Sequence, residues 1–246
     1  MSLEILCLHS SGLSGAQWGR FVAAFSDRYT IHTPDLLGYG ANQDPYSMPF
    51  HYEQDLKRLQ GLLDRPMVVV GHSYGGLLSL RLALHNPENV QALALFDPIA
   101  WGALRSVDPS AFDMMDDVRF GRTDVPAEEW LESFVDFWGE PGSWKAMSPR
   151  ARDSMLGSFP KLRDEVHSLI DDRTPADIYS GLKQPTLLLT GERSPIQQQR
   201  VNAILAEAIP GADSKMMPGG HMAPITHSQE YLDHIEAFLQ GLNQGV

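Results

Sequence analysis

Short apolar runs alternate with longer amphipathic stretches along most of the chain. The apolar runs fall at residues 3–8, 29–33, 67–71, 92–96, 186–190 and 214–217. Helical spacing of apolar positions covers 16–25, 50–63, 76–85, 195–208 and 228–242, and Pro34, Pro66, Pro87, Pro185 and Pro210 fall at the boundaries. Strands alternating with amphipathic helices predict βαβ units and a parallel sheet. Met67-Val-Val-Val-Gly71 and Thr186-Leu-Leu-Leu-Thr190 are apolar on both faces. Central strands covered by helices on both sides need that. The expected fold is α/β, a mostly parallel central sheet of about six strands flanked by helices.

The rhythm breaks between residues 99 and 181, where no strand-like run occurs. This stretch is rich in large apolar side chains: Trp101, Phe112, Met114, Met115, Trp130, Phe134, Phe137, Trp138, Trp144, Met147, Met155 and Phe159. The expected organisation is a core of residues 1–98 and 182–246 carrying a helical insertion, 99–181, as a cap. Such side chains mostly form the core of the cap itself, and those over the sheet face a substrate pocket.

Composition narrows the function classes. A chain of 246 residues is one large domain, or one domain with an insertion. Its 19 Lys and Arg against 31 Asp and Glu give a net charge of −12. That balance offers no footprint for nucleic acid or an anionic membrane surface. No apolar run reaches the ~20 residues of a membrane span. The start, Met1-Ser-Leu-Glu-Ile-Leu-Cys-Leu8, lacks the basic and apolar regions of a signal peptide, so a cytoplasmic location is expected. Cys7 is the single cysteine. An internal disulfide and a cysteine-built zinc site are therefore excluded.

The sharpest local signal is Gly71-His-Ser-Tyr-Gly75, followed by Gly76. It fits G-x-S-x-G between an apolar strand and a helical pattern, the context a nucleophile elbow requires. The turn lifts the Ser73 hydroxyl above the strand end. There the free N–H groups of a helix N-terminus favour a developing oxyanion. The competing reading is a glycine-rich turn with a surface serine.

Four separated segments together resemble the α/β-hydrolase fold over almost the whole chain. They are Leu8-His-Ser-Ser-Gly12, Pro34-Asp-Leu-Leu-Gly-Tyr-Gly40, Gly71-His-Ser-Tyr-Gly-Gly76 and Gly219-Gly-His-Met-Ala-Pro224. The resemblance, closest to the lidded serine esterases, implies a serine hydrolase with a helical cap. It implies His221 as general base, in preference to His227 and His234; His72 is read as structural. The acid of such enzymes usually follows the strand at 186–190, but that position is Ser194. Two carboxylates are the candidates: Asp97, at the end of the preceding strand, and Glu192, two residues before the vacant position. Asp97 is preferred because a strand end fixes a carboxylate; the competing reading is an Asx turn before Pro98. The oxyanion donors expected are the backbone N–H groups of Tyr74 and Ser11, with Ser10 second to Ser11. Asp35 is read as holding its own turn.

These residues imply hydrolysis of small, fairly apolar carboxylic esters, or related acyl bonds, through an acyl-enzyme, with no metal and no cofactor. A serine at position 73 excludes the family's chemistries that use an aspartate there. Thioester, lactone, amide and carbon–carbon bond cleavage stay open. The reading from a different class is a non-catalytic small-molecule-binding protein on the same fold, favoured by the vacant acid position and by Ser10 where His-Gly is usual. The only partner expected is a small-molecule acyl substrate. Oligomeric state stays open; the short edge strand is where a second copy would pair. With oxyanion residues already at position 9, no strand pair precedes the parallel sheet.

Overall fold

A computed structural model describes residues 3–113, 119–122 and 124–244; Met1, Ser2, Met114 and Met115 lie outside them. Six strands form one sheet: β1 (Glu4–Leu8), β2 (Thr30–His32), β3 (Met67–His72), β4 (Val90–Phe96), β5 (Thr186–Gly191) and β6 (Asp213–Met217). Their spatial order is β2-β1-β3-β4-β5-β6, and every neighbouring pair is parallel. The helices are α1 (Gly19–Phe25), α2 (Glu53–Gln60), α3 (Tyr74–His85), α4 (Trp101–Val107), α5 (Pro109–Asp113), α6 (Ala127–Trp138), α7 (Ser143–Ala146), α8 (Pro149–Ile170), α9 (Ile196–Ala208), α10 (Ala223–Thr226) and α11 (Ser228–Gln244). The expected α/β sheet of six parallel strands is what forms.

The doubly apolar strands follow from two cores, one on each sheet face. Alternation sends Leu6, Leu8, Val69, Leu93, Leu95 and Leu188 to one core and Ile5, Cys7, Val68, Val70, Leu187 and Leu189 to the other. The second core is closed by α1 and α11, through Trp18, Phe21, Phe25, Tyr231 and Ile235. The first takes α2, α3 and α9 and runs without interruption into the insertion between β4 and β5. There Trp130, Leu131, Phe134 and Trp138 line one side of α6. Helix α8 starts cleanly because the Ser148 hydroxyl accepts from Ala151 N–H and Pro149 opens its first turn.

Three elements illustrate where the boundaries differ from the pattern. α3 begins at Tyr74, two residues before the periodic stretch, because the elbow serine is its N-cap. α2 is shorter at both ends than 50–63. β2 is reduced to three residues at the sheet edge, where only β1 pairs with it.

Candidate active site

β3 ends at His72 and α3 begins at Tyr74, so one residue makes the turn. Ser73 absorbs it with φ 58 and ψ −118, a left-handed backbone that a non-glycine residue holds only at a cost of order 1–3 kcal/mol. The turn is tight enough that a Cβ at Gly75 would collide with the Leu8 carbonyl. That close approach docks the start of α3 against the end of β1 and the His9–Gly12 loop.

Loop geometry brings His221 over the strand ends. Its Nε2 lies 2.9 Å from Ser73 Oγ and its Nδ1 lies 3.0 Å from Asp97 Oδ2. Asp97 follows β4 and also adopts a positive φ, 45°. The three side chains are buried: Ser73 is 5% exposed, His221 2% and Asp97 0%. Asp97, the carboxylate preferred from the sequence, is the one within hydrogen-bond distance of the His221 ring. Glu192 is corrected: it is exposed, and no contact links it to His221. Its backbone N–H pairs with Met217 across the end of β5, while the side chain is left in solvent.

The Asp97 carboxylate is fully engaged. Oδ1 accepts from Thr190 Oγ1 at 2.6 Å and Asn202 Nδ2 at 2.8 Å. Oδ2 accepts from Ser194 Oγ at 2.6 Å besides facing His221. Ser194, at the position where such an acid usually stands, is thus a hydroxyl donor to Asp97, the carboxylate at the end of the neighbouring strand. Its role, like those of Thr190 and Asn202, escaped the sequence reading. A small hydroxyl opposite a strand-end aspartate is the signal that could have found it.

The segment expected to hold the oxyanion is tied down from two sides. His9 Nδ1–H donates to the Ser10 carbonyl, and Nε2 accepts from Leu36 N–H. Burial lowers the His9 ring to a pKa of about 4, which keeps it neutral for both bonds. Ser10 is corrected as a donor: its N–H and its hydroxyl both go to Gln17 Oε1, at 3.0 and 3.1 Å. With Oε1 so occupied, Gln17 Nε2 donates to His72 Nδ1 at 3.0 Å. His72 Nε2–H then donates to the His221 carbonyl at 2.8 Å. Burial pushes the His72 ring well below its ordinary pKa, consistent with a neutral link in that chain. Gln17, which the sequence reading passed over, ties the oxyanion loop to the histidine loop through a residue read as merely structural. Among the described residues no acceptor takes the N–H of Ser11 or Tyr74. Asp35 holds its turn as expected, accepting from Gly15 and Ala41 N–H.

Ser73 and His221 open into a cavity of about 270 Å³. The insertion supplies most of its wall: Phe134, Val135, Trp138, Met147 and Met155. The Trp138 ring lies 4.1 Å from the His221 ring, centroid to centroid. That aromatic side chain covers one face of the imidazole.

A parallel sheet with a serine elbow after its third strand and a histidine after its last defines hydrolases built on an α/β core. Residues 5–234 match the alpha/beta hydrolase family, and the chain belongs to it. It is 32% identical over 159 residues to lipase LipV of Mycobacterium tuberculosis, covering 62% of this chain and 56% of that protein. The pimeloyl-acyl-carrier protein methyl ester esterase of Aeromonas hydrophila is 26% identical over 252 residues, 96% of this chain and 95% of that protein. Among solved structures, a hydrolase from Pseudomonas aeruginosa PA01 superposes with a TM-score of 0.76 at 21% identity, covering 96% of this chain and 90% of that one.

Proposed function

We propose that this hydrolase cleaves carboxylic esters, or related acyl bonds, of small and fairly apolar substrates, through a Ser73–His221–Asp97 triad and an acyl-enzyme. The observation that carries the reading is His221 bridging Ser73 Oγ and Asp97 Oδ2 at 2.9 and 3.0 Å, beside an apolar cavity. Ser73 Oγ attacks the acyl carbon while His221 Nε2 takes its proton. The carbonyl oxygen gains the charge and is held by the N–H groups of Tyr74 and Ser11. The carbon–oxygen bond to the alcohol breaks, and His221 returns the proton to the leaving oxygen. A water then attacks the acyl-serine, giving its proton to His221. The carboxylic acid leaves, and the proton goes back to Ser73. Asp97 orients the ring and stabilises its charged form. Residues 99–181 act as the cap that keeps water from the acyl group.

No helix among the described residues is long and apolar enough to cross a membrane. A buried, unpaired Cys7 suits the reducing cytoplasm, the compartment we assign to the enzyme. The test is turnover of a p-nitrophenyl ester series from acetate to octanoate. Hydrolysis with a short-chain optimum, abolished in Ser73→Ala and His221→Ala, supports the reading. Inertness to every ester, with no labelling by a fluorophosphonate, overturns it.

A further inference from the structure

A second cavity stands against the first and differs from it in chemistry. It measures about 560 Å³, roughly twice the catalytic cavity, and Leu13, Met147 and Met155 line both. Its walls come from five places: the loop after β1, the loop after β2, Met147 between α7 and α8, the exposed side of α8 around Gly157, and Ile225 of α10. Ile225 lies four residues beyond His221, and Gly12 and Leu13 follow Ser11. The cavity therefore flanks both the histidine loop and the oxyanion loop.

None of its sixteen lining residues is Asp, Glu, Lys, Arg or His, although 20% of the chain is Asp, Glu, Lys or Arg. Hydroxyls take their place. Ser14, Tyr46 and Ser154 line it, and among the described residues none of their side-chain oxygens has a hydrogen-bond partner. Donors and acceptors left open beside an apolar shelf suit an uncharged, hydrogen-bonding guest. An ionic guest would find no countercharge among these lining side chains.

We infer that this chamber is the leaving-group subsite, and that the enzyme's substrates are esters of uncharged, polyhydroxylated alcohols such as glycerol or a sugar. The inference rests on the ester-hydrolase reading above and deepens it. The apolar cavity takes the acyl chain, Met147 and Met155 form the partition, and the alcohol lies across Leu13 into the hydroxyl-lined chamber. Unbranched thioether side chains make that partition adaptable to the ester's bend.

Gly157 gives the test. A Cβ there meets nothing within 4 Å, and the residue sits on the chamber wall. Replacing it with tryptophan puts an indole into the chamber from a helix whose backbone tolerates a side chain. The measurement is kcat/KM for three butyrate esters, of ethanol, glycerol and choline, in wild type and Gly157→Trp, with the melting temperature as a check on folding. The expected result is a glycerol-to-ethanol ratio of tenfold or more in wild type, no advantage for the cationic choline ester, and a ratio within twofold of unity in Gly157→Trp. If Gly157→Trp fails to fold, Ser154→Ala and Ser14→Ala replace it and are expected to lower the ratio at least threefold together. A wild-type ratio near unity overturns the inference while leaving the ester-hydrolase reading intact. So does a choline ester that matches the glycerol ester, or a ratio that survives the variants. No turnover of any ester overturns the ester-hydrolase reading, and the inference falls with it.

Discussion

Two of the buried carboxylate sites among the described residues are furnished in opposite ways. Asp97 is surrounded by neutral donors, Thr190, Ser194 and Asn202, and by the His221 ring. Asp55 and Glu165 instead share a fully buried lysine, Lys161, which contacts both. Tyr39 and Tyr74 donate their hydroxyls to Glu165 and Asp55. The rings of Tyr39 and Phe50 flank the ammonium at 3.9 and 4.2 Å. Burial pushes the Glu165 carboxyl upward against the pull of Lys161. The second cluster joins α8 of the insertion to α2 and to the start of α3, so it is a structural joint. Had Asp97 been given a lysine, its charge would be spent before His221 gained a proton. In the proposed mechanism, neutral donors fix the carboxylate and leave its charge for the imidazolium.

The largest effect expected from this contrast is at Asp97. Asp97→Asn should lower kcat about 10⁴-fold, some 5 kcal/mol of barrier, by presenting the wrong hydrogen-bonding partner to His221 Nδ1. Steady-state kinetics with the melting temperature alongside checks this; a loss under tenfold would break the contrast. Lys161→Met should act the other way round. It strands two buried carboxylates, costing about 3–5 kcal/mol in urea unfolding, while kcat of the folded enzyme falls less than tenfold.

A third expectation concerns pH. His9 and His72 are buried with pKa values lowered, His9 to about 4. Below about pH 6.5 the unfolded chain binds protons that these rings refuse, so stability should fall as pH drops from 7 to 5. His9 alone accounts for roughly 3 kcal/mol once the pH has passed below its folded value. Urea midpoints across that range in wild type and His9→Gln measure it; a flat profile in wild type would contradict the neutral-ring assignment. The smallest effect is at Ser194. Ser194→Ala removes one of four contacts to Asp97 and should cost about 1 kcal/mol of barrier, a fivefold drop in kcat. A change there as large as at Asp97 would make Ser194 more than a donor to the acid.

Much of this was readable along the chain because it depends on neighbours in sequence. The six strands announce themselves by runs apolar on both faces, and the elbow by Gly71-His-Ser-Tyr-Gly75 between a strand and a helix. Asp97 was legible from its place at the end of an apolar run. What escaped depends on contacts across the fold. Ser194 reaches Asp97 over 97 positions, and Gln17 reaches His72 over 55. Neither residue type carries a local signal, since a serine or glutamine on a half-polar stretch reads as surface. Ser10 and Glu192 failed for a related reason. Each has the right type and position, but Ser10 spends its N–H on Gln17, and Glu192 is left in solvent by the turn after β5.

The most direct measurement of the central claim, a triad whose acid stands just after β4, is the rate at which a fluorophosphonate labels the protein, followed by intact mass. The triad predicts one adduct, on Ser73 and absent in Ser73→Ala, forming at least a hundredfold more slowly in Asp97→Asn and at the wild-type rate in Glu192→Gln. Undiminished labelling of Asp97→Asn, or loss of labelling in Glu192→Gln, would contradict it.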